Sequence, residues 1–484
     1  MKSKLMNDDK FRRFQSRRRA HWDAVATGYR GRLRGGAYYH RRLEEVFKHL
    51  VMPGQRVLEI GCGDGDLLAA VEPRFGVGVD FSVGMLNNAR RKHPDLHFAL
   101  ADAHLLPLDV MGEFDVVIVS DLLNDLWDVQ EMLCEIAEIS SPRTRIFINS
   151  YNLLWGPILR LASRLGFARP NLEQNWLSVR DVANLAYLAD LEVIRQWDEV
   201  LWPFSTPILE KLINRFLVRF WPFSHGALAS FTAARTKPGI RDWNGKPSVS
   251  IIVPARNEAG NISQIFERTP DLGRETELIF VEGHSKDDTY ETIEREIARH
   301  PERKCKLLRQ RGEGKGDAVR DGFEEASGEI LFILDADLTV PPEDLGRFFD
   351  VLVSGKGDFA NGVRMVYPME DKAMQFMNSI GNKFFSLAFS WVLGQQVKDT
   401  LCGTKVLWKR DYEIIALNRS YFGDFDPFGD FDLLLGAARI NLKITDVPIR
   451  YRERTYGSTN IHRWRHGVLL FRMLWIAARK IKFI

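Results

Sequence analysis

Cysteine is scarce. The 484 residues contain four, at positions 62, 134, 305 and 402, with no CxxC pair and no close Cys/His cluster. This excludes a disulfide framework and a thiolate zinc site, and it is the pattern of a reduced, cytoplasmic chain. Long apolar runs are also lacking: no stretch reaches the roughly 18 residues that a membrane-spanning helix needs. The nearest are Phe384–Leu393 and Gly467–Ala478, the second interrupted by Arg472. The N-terminus is basic without an apolar segment, so no secretory leader is expected. Net charge is nearly absent, 67 Lys and Arg against 64 Asp and Glu, which leaves no electrostatic case for a nucleic-acid partner. There is no internal repeat and no low-complexity tract.

What is present is ordinary globular composition, 45% hydrophobic and 27% charged, in a chain long enough for two or three domains. The pattern of apolar runs alternates strand with helix. Strands are expected at Gln55–Ile60, Gly76–Asp80, His97–Ala101, Phe114–Ser120, Thr144–Ser150, Leu191–Glu199 and Leu228–Ala234. Helices are expected at Arg41–Leu50, Asp66–Val71 and Val83–Lys92. Residues 238–247, rich in Pro, Gly and charge, read as a linker. A second series then begins: strands Ser248–Val253, Thr276–Val281, Lys306–Arg309 and Ile330–Leu334, with helices Ile262–Arg268, Asp288–Arg299 and Gly316–Ala326 between them. The expected class is α/β with two doubly wound domains. The organisation reads as a basic extension over 1–40, a first domain over 41–237, the linker, a second domain over 248–460, and a basic amphipathic tail helix over 461–484.

In the first domain an apolar strand runs into Glu59-Ile60-Gly61-Cys62-Gly63-Asp64-Gly65 and then a helix. Alternating glycines let the backbone turn sharply and approach a ligand, and a helix N-terminus offers free N–H groups. Asp80 ends the next strand, where a carboxylate can accept ribose hydroxyls. Asp102 follows the third. With Phe114-Asp115-Val116-Val117 and Ser120-Asp121, these residues resemble the class I S-adenosylmethionine-dependent methyltransferases, over roughly Trp22 to Thr236. The resemblance implies a Rossmann-like fold with Glu59, Gly61, Gly63, Asp80 and Asp102 around S-adenosylmethionine. The loop departs from GxGxxG, which argues against NAD. His104, Asp121, Asn124 and Tyr151 are candidates for the methyl-acceptor pocket. The aromatic segment Leu201–Phe223 either caps that pocket or packs on the sheet, and packing is expected.

In the second domain three strands deliver polar residues to one edge: Pro254-Ala255-Arg256-Asn257-Glu258, Glu282-Gly283-His284-Ser285-Lys286-Asp287, and Asp335-Ala336-Asp337. Ligands bind at that carboxyl edge in open α/β sheets. Carboxylate oxygens at Asp335 and Asp337 suit Mg²⁺ or Mn²⁺ beneath a diphosphate. The glycine-rich loop Gly312–Ala318 brings Lys315 to phosphate, without Walker A spacing. Together with Asp399, Cys402-Gly403-Thr404-Lys405, Gly429-Asp430-Phe431-Asp432 and Arg452–Asn460, this half resembles family 2 glycosyltransferases of the GT-A fold, those acting on polyprenyl phosphates in particular. The resemblance implies that Pro254, Ala255, Glu258, Glu282 and Lys315 hold a GDP- or UDP-sugar, with Asp335 and Asp337 on donor and metal. Asp432, or alternatively Asp430, is the candidate base. Arg452 and Arg454 are candidates to cradle an acceptor phosphate. The family's second acid after the second strand is Gly283 here.

Arg465, Arg472 and Arg479 recur every seven residues, opposite Leu469, Leu470, Met473, Leu474, Ala477 and Ile481, with Trp464 and Trp475 as anchors. This predicts a helix lying in a membrane surface. The segment Phe376–Leu393 is either a second contact or core. The expectation is a bifunctional enzyme, peripheral at the cytoplasmic membrane face. Its competitors are a transferase pair for soluble substrates, and one half serving as a scaffold without chemistry.

Overall fold

Each of the two strand–loop–helix beginnings seeds its own seven-stranded sheet in the computed structural model of the chain. The structure describes residues 9–27, 36–106, 112–165, 172–237, 246–364, 376–422, 431–452, 454, 456 and 463–484. Asp430, most of the linker (238–245), the loop 457–460 and the first eight residues lie outside them. The chain divides into two units, Met1–Lys237 with Phe483–Ile484, and Pro238–Lys482.

The first unit runs α1 (Asp9–Ala26), α2 (Gly36–Leu50), β1 (Arg56–Ile60), α3 (Asp66–Ala70), β2 (Phe75–Asp80), α4 (Val83–Lys92), β3 (His97–Leu100), β4 (Val116–Ser120), α5 (Val129–Ile139), β5 (Arg145–Tyr151), α6 (Gly156–Arg164), α7 (Val179–Leu188), β6 (Leu191–Glu199), α8 (Leu209–Arg215) and β7 (Ala229–Thr236). The strand order is β3-β2-β1-β4-β5-β7-β6. The first five are parallel, and β7 runs antiparallel to both neighbours. Strands β1 and β4 are buried almost throughout, which is why they read as continuous apolar runs rather than alternating ones. Separate cores line the two sheet faces, one around Leu58, Val117 and Met132, the other around Phe47, Phe147 and Phe231. Helix α4 starts where its sequence predicts, because Ser82 caps it by accepting from Met85 N at 3.1 Å.

The second unit runs β8 (Val249–Ala255), α9 (Ile262–Arg268), β9 (Thr276–Glu282), α10 (Thr289–Arg299), β10 (Lys304–Arg309), α11 (Lys315–Glu325), β11 (Ile330–Ile333), α12 (Leu345–Val353), β12 (Phe359–Val363), α13 (Phe376–Leu393), β13 (Lys405–Trp408), α14 (Lys409–Leu417), α15 (Phe431–Arg439), β14 (Ile444–Pro448) and α16 (Arg463–Ala477). The order is β10-β9-β8-β11-β13-β12-β14, with β13 antiparallel to β11 and β12. In both sheets the order reverses beside the first strand, between β1 and β4 and between β8 and β11. Such a reversal opens a crevice at the strands' carboxyl ends.

Two expectations need correction. The segment 201–223 does not pack its aromatics on the sheet. Phe204 is 53% exposed and Trp221 79%. Polar ties hold it instead: Asn214 brackets Trp202, accepting from its N at 2.8 Å and donating to its O at 2.7 Å. Arg219 pairs at 2.6 Å with the buried Glu199. In α16, Leu470, Met473, Ala477 and the following Ile481 are buried, while Val468, Phe471 and Trp475 are exposed. Most of the predicted lipid stripe is thus buried in the protein, and at the margin of the outer face Phe471 still meets α13, its ring 4.9 Å from that of Phe385. Helix α13 divides similarly, Phe385 and Phe389 inside, Phe384, Leu387 and Trp391 outside.

Candidate active sites

Strand β1 ends at Ile60, and the chain turns into α3 through glycines 61, 63 and 65 at φ 75°, 53° and 79°, a region that side chains disfavour. Nothing lies within 4 Å of a Cβ placed on Gly63, so the loop opens onto free space there. Glu59 is buried, burial pushes its carboxyl well above the usual range, and its Oε2 has no partner. Asp80 accepts from Gly63 N at 3.0 Å and Ser82 N at 2.8 Å, with burial again raising its carboxyl. Asp102 accepts from Gln15 Nε2 at 2.8 Å and lies 2.8 Å from His104 Nδ1. Burial opposes its charge, but the His104 contacts outweigh it and hold the carboxyl below its ordinary range. Glu59, Gly61, Gly63, Asp80 and Asp102 all line one cavity of 2570 Å³.

The cavity's roof is α1. Asp23 Oδ1 accepts from Ser82 Oγ at 2.5 Å and Gly84 N at 2.9 Å, and Trp22 Nε1 donates to Asp125 Oδ2 at 2.9 Å. Arg18, buried, pairs with Asp125. Sequence reasoning took these residues for a basic extension. The signal it passed over is the set Gln15, Trp22 and Asp23 among the arginines. Opposite, Asp121 sits at φ 53°, a strained position for a residue other than glycine, costing about 1–3 kcal/mol. Tyr39 Oη donates to its Oδ1 at 2.7 Å and Asn149 Nδ2 at 2.6 Å, with Tyr151 a further donor. Burial nonetheless raises its carboxyl. Of the four acceptor-pocket candidates, His104, Asp121 and Tyr151 line the cavity. Asn124 is spent on backbone, donating to Asn175 O at 2.7 Å and accepting from Tyr151 N at 3.1 Å.

In the second unit the register places Ala255 opposite Glu282, and β11 delivers Asp335 and Asp337 alongside. Arg454 Nη2 lies 2.6 Å from Asp337 Oδ2 and 3.6 Å from Glu258 Oε1. Lys315 Nζ lies 2.5 Å from Asp335 Oδ1. Burial pushes Glu258 up to about 7, with Arg454 opposing and Asp337 adding to the rise. Asp337 is held low: burial raises it, but Arg454 and Thr339 outweigh that. A Cβ on Gly403 would come within 2.1 Å of Asp335 Oδ2 and 2.2 Å of Lys315 Nζ, so the loop 399–405 presses its backbone against this pair. That loop is fixed by Asp399, which takes Arg364 Nε at 2.7 Å and Nη2 at 2.9 Å.

Five predicted residues are therefore drawn into ion pairs at one edge: Glu258, Lys315, Asp335, Asp337 and Arg454. Pro254 and Ala255 end the central strand beside them, and Glu282 accepts from Ser285 N at 2.5 Å. At Gly283, where the second acid is lacking, space is tight: a Cβ there would lie 3.0 Å from Gln310 Oε1. Arg452 and Arg454 diverge. The backbone N of Arg452 donates to Thr339 O at 2.9 Å, and its charge acts on Glu343. Asp432 pairs with Arg419 at 3.1 Å rather than with the Asp335–Asp337 group. Among the described residues no group of three or more His, Cys, Asp and Glu forms a ready metal cage. Two carboxylates of hard-oxygen chemistry suit Mg²⁺ or Mn²⁺ only if a diphosphate supplies further ligands.

A glycosyl transferase family 2 model matches residues 250–413, and a methyltransferase-domain model matches residues 57–143. Glycosyltransferase AglJ of Haloferax volcanii is 30% identical over 234 residues, 48% of this chain and 72% of its own length. The dolichol-phosphate mannosyltransferase of Pyrococcus furiosus is 29% identical over 220 residues, 44% of this chain and 59% of its own. Among solved structures, a SAM-dependent methyltransferase from Thermotoga maritima, a possible histamine N-methyltransferase, aligns over 42% of this chain and 91% of its own, with 16% identity and a TM-score of 0.33.

Proposed function

Since the chain belongs to glycosyl transferase family 2, with a methyltransferase domain ahead of that half, we propose that it is a bifunctional enzyme that moves a sugar from a nucleotide donor to a polyprenyl phosphate and a methyl group from S-adenosylmethionine to a second acceptor. The observation that carries the glycosyl reading is the ion-pair cluster of Glu258, Arg454 and Asp337 with Lys315 and Asp335 at one sheet edge. A phosphate oxygen of the acceptor attacks the anomeric carbon as the nucleoside diphosphate leaves from the opposite face, so the configuration inverts. Lys315 and Arg454 offset the charge gathering on the leaving group. Mg²⁺ or Mn²⁺ bound at Asp335 and Asp337 would add to that neutralisation. A phosphate monoester, with a second pKa of about 6, is already ionised at neutral pH and needs no strong base. This relieves Asp432, whose charge Arg419 holds, of that task. Arg452, exposed beside the site, is the residue to meet the incoming phosphate.

In the first unit the unpartnered Glu59 oxygen fits the methionine ammonium, Asp80 the ribose and Asp102 the adenine amino group. The sulfonium carbon–sulfur bond breaks with its electron pair going to sulfur, as the acceptor's nucleophilic atom bonds to the methyl carbon. Positioning supplies much of the rate. Attachment to a membrane surface is supported in the second unit by exposed Phe384, Leu387, Trp391, Phe471 and Trp475, near Lys482, which lies 5.1 Å over the Trp391 ring.

The test incubates the chain with undecaprenyl phosphate, Mn²⁺ and a set of UDP- and GDP-sugars, and follows label into lipid extract. Asp337→Ala should abolish transfer. Calorimetry with S-adenosylmethionine tests the other half. No consumption of any sugar nucleotide, with or without lipid phosphate, sinks the glycosyl reading.

A further inference from the structure

One face of the first unit is crowded with apolar side chains. Leu154 and Ile158 are 60% and 51% exposed, Ile208 and Leu212 74% and 54%, and Trp221 79%. Apolar side chains left this exposed on two adjoining segments of a folded protein mark a place where something docks. The two segments that carry it, 152–165 and 201–226, are joined by hydrogen bonds from Trp155 Nε1 to Gly226 O at 2.9 Å and from Asn152 Nδ2 to His225 O at 3.3 Å.

Two further features say what docks. Basic side chains stand among the apolar ones: Arg160, Arg164, Lys211 and Arg215 are all exposed. The acid of these segments, Glu210, is occupied by Thr206 N at 2.9 Å. Leucine, isoleucine and tryptophan interleaved with cations and almost free of acids are the makeup of an interfacial surface on anionic lipid. The face also borders the cofactor cavity. Trp155, Ile158, Leu159, Pro203 and Phe204 line it together with Glu59, Asp80 and Asp121. The chamber therefore passes from a polar floor to an apolar rim.

We infer that this face seats the first unit on an anionic lipid surface, with its cavity opening toward the lipid. The methyl acceptor is then an amphipathic molecule, its head group reaching Asp121, Tyr39 and Tyr151 while its apolar part stays in the bilayer. The inference rests on the methyltransferase reading for the acceptor, but the docking itself does not.

Flotation of the full chain on vesicles of phosphatidylcholine with roughly one-third phosphatidylglycerol tests it. Ile208→Gln/Trp221→Gln removes side chains from the first unit's face, and Phe471→Gln/Trp475→Gln does the same to the second unit. The wild type should float. Ile208→Gln/Trp221→Gln should weaken partitioning at least about tenfold, and the four-fold variant should stay at the bottom. Calorimetric affinity for S-adenosylmethionine should remain that of the wild type, showing the fold intact. A wild type that does not float overturns the inference. So does an Ile208→Gln/Trp221→Gln chain that floats equally well, or a lipid-free dimer that this variant splits, which would assign the face to self-contact. Failure to bind S-adenosylmethionine with flotation intact would count against the methyltransferase reading alone.

Discussion

Replacing Asp399 by Asn removes one charge from a pair that the second unit encloses almost fully. The Arg364 and Asp399 side chains are 11% and 1% exposed and meet through two short hydrogen bonds. Losing one member of such a pair costs about 3–5 kcal/mol, because the other charge stays buried without compensation. Asn keeps an acceptor for the guanidinium, which places the cost near the lower end, about 3 kcal/mol. For a unit of this size each kcal/mol moves the melting temperature by about 2–4 °C, giving a fall of about 6–12 °C. Scanning calorimetry with and without S-adenosylmethionine separates the two units, since the ligand raises only the transition of the unit that binds it. Asp399→Asn should lower the other transition. The pH dependence has a definite sign. Burial opposes the Asp399 charge, yet Arg364 outweighs it and holds the carboxyl below its usual value. The stabilisation is complete above the unfolded carboxyl pKa of about 3.9 and fades as pH falls through the depressed folded value. The gap between wild type and variant should thus be constant around neutrality and close in acid. A shift below about 1 °C at neutral pH, or movement of the ligand-sensitive transition instead, would refute the reasoning.

Gly403→Ala drives a methyl group into the Lys315–Asp335 pair; the donor KM should rise about tenfold, or about 1.4 kcal/mol, and an unchanged KM would show that the loop yields freely. Asp102→Asn and Gln15→Ala each remove a charge-assisted contact from the cofactor chamber, so S-adenosylmethionine should bind about tenfold more weakly by calorimetry in each. Glu258 holds a proton up to about 7 in the folded chain, whereas the unfolded carboxyl releases it near about 4.3. Stability of the second unit should therefore fall as pH rises across that window, and Glu258→Gln should flatten the slope in denaturant titrations. Gly283→Asp meets Gln310 and should destabilise the second unit by about 1 kcal/mol; Gly283→Asp/Gln310→Ala should recover the loss, and failure to recover would mean the crowding lies elsewhere.

What could be read from the chain beforehand depended on whether the cause was local. Buried parallel strands announce themselves as unbroken apolar runs, so β1, β4, β8 and β11 were legible within two residues. The glycines at 61, 63 and 65 were legible because only their φ angles allow that turn. The acids at 59, 80 and 102 were expected in one chamber, and they line one. The roof was not legible: α1 is rich in arginine, and its Gln15, Trp22 and Asp23 gain meaning only from Asp102, Asp125 and Ser82 far along the chain. The partners of Asp335 and Asp337 were equally hidden, because Lys315 reaches Asp335 from the start of α11, 20 residues away, and Arg454 reaches Asp337 from 117 residues away. The apolar stripe on α16 was read as facing a membrane surface, and Leu470, Met473, Ala477 and Ile481 are buried in the protein instead, since a helical pattern fixes which residues share a face and not what that face meets.

The closing of the cofactor chamber by α1 has a consequence for biosynthesis. This helix is made before its partners: Arg18 is tied to Asp125 and to the carbonyl of Glu173, 155 residues later. Contacts so distant in sequence form late. Until those residues emerge, an eighteen-residue basic helix has no place to settle, and the nascent methyltransferase half is a sheet with an open top.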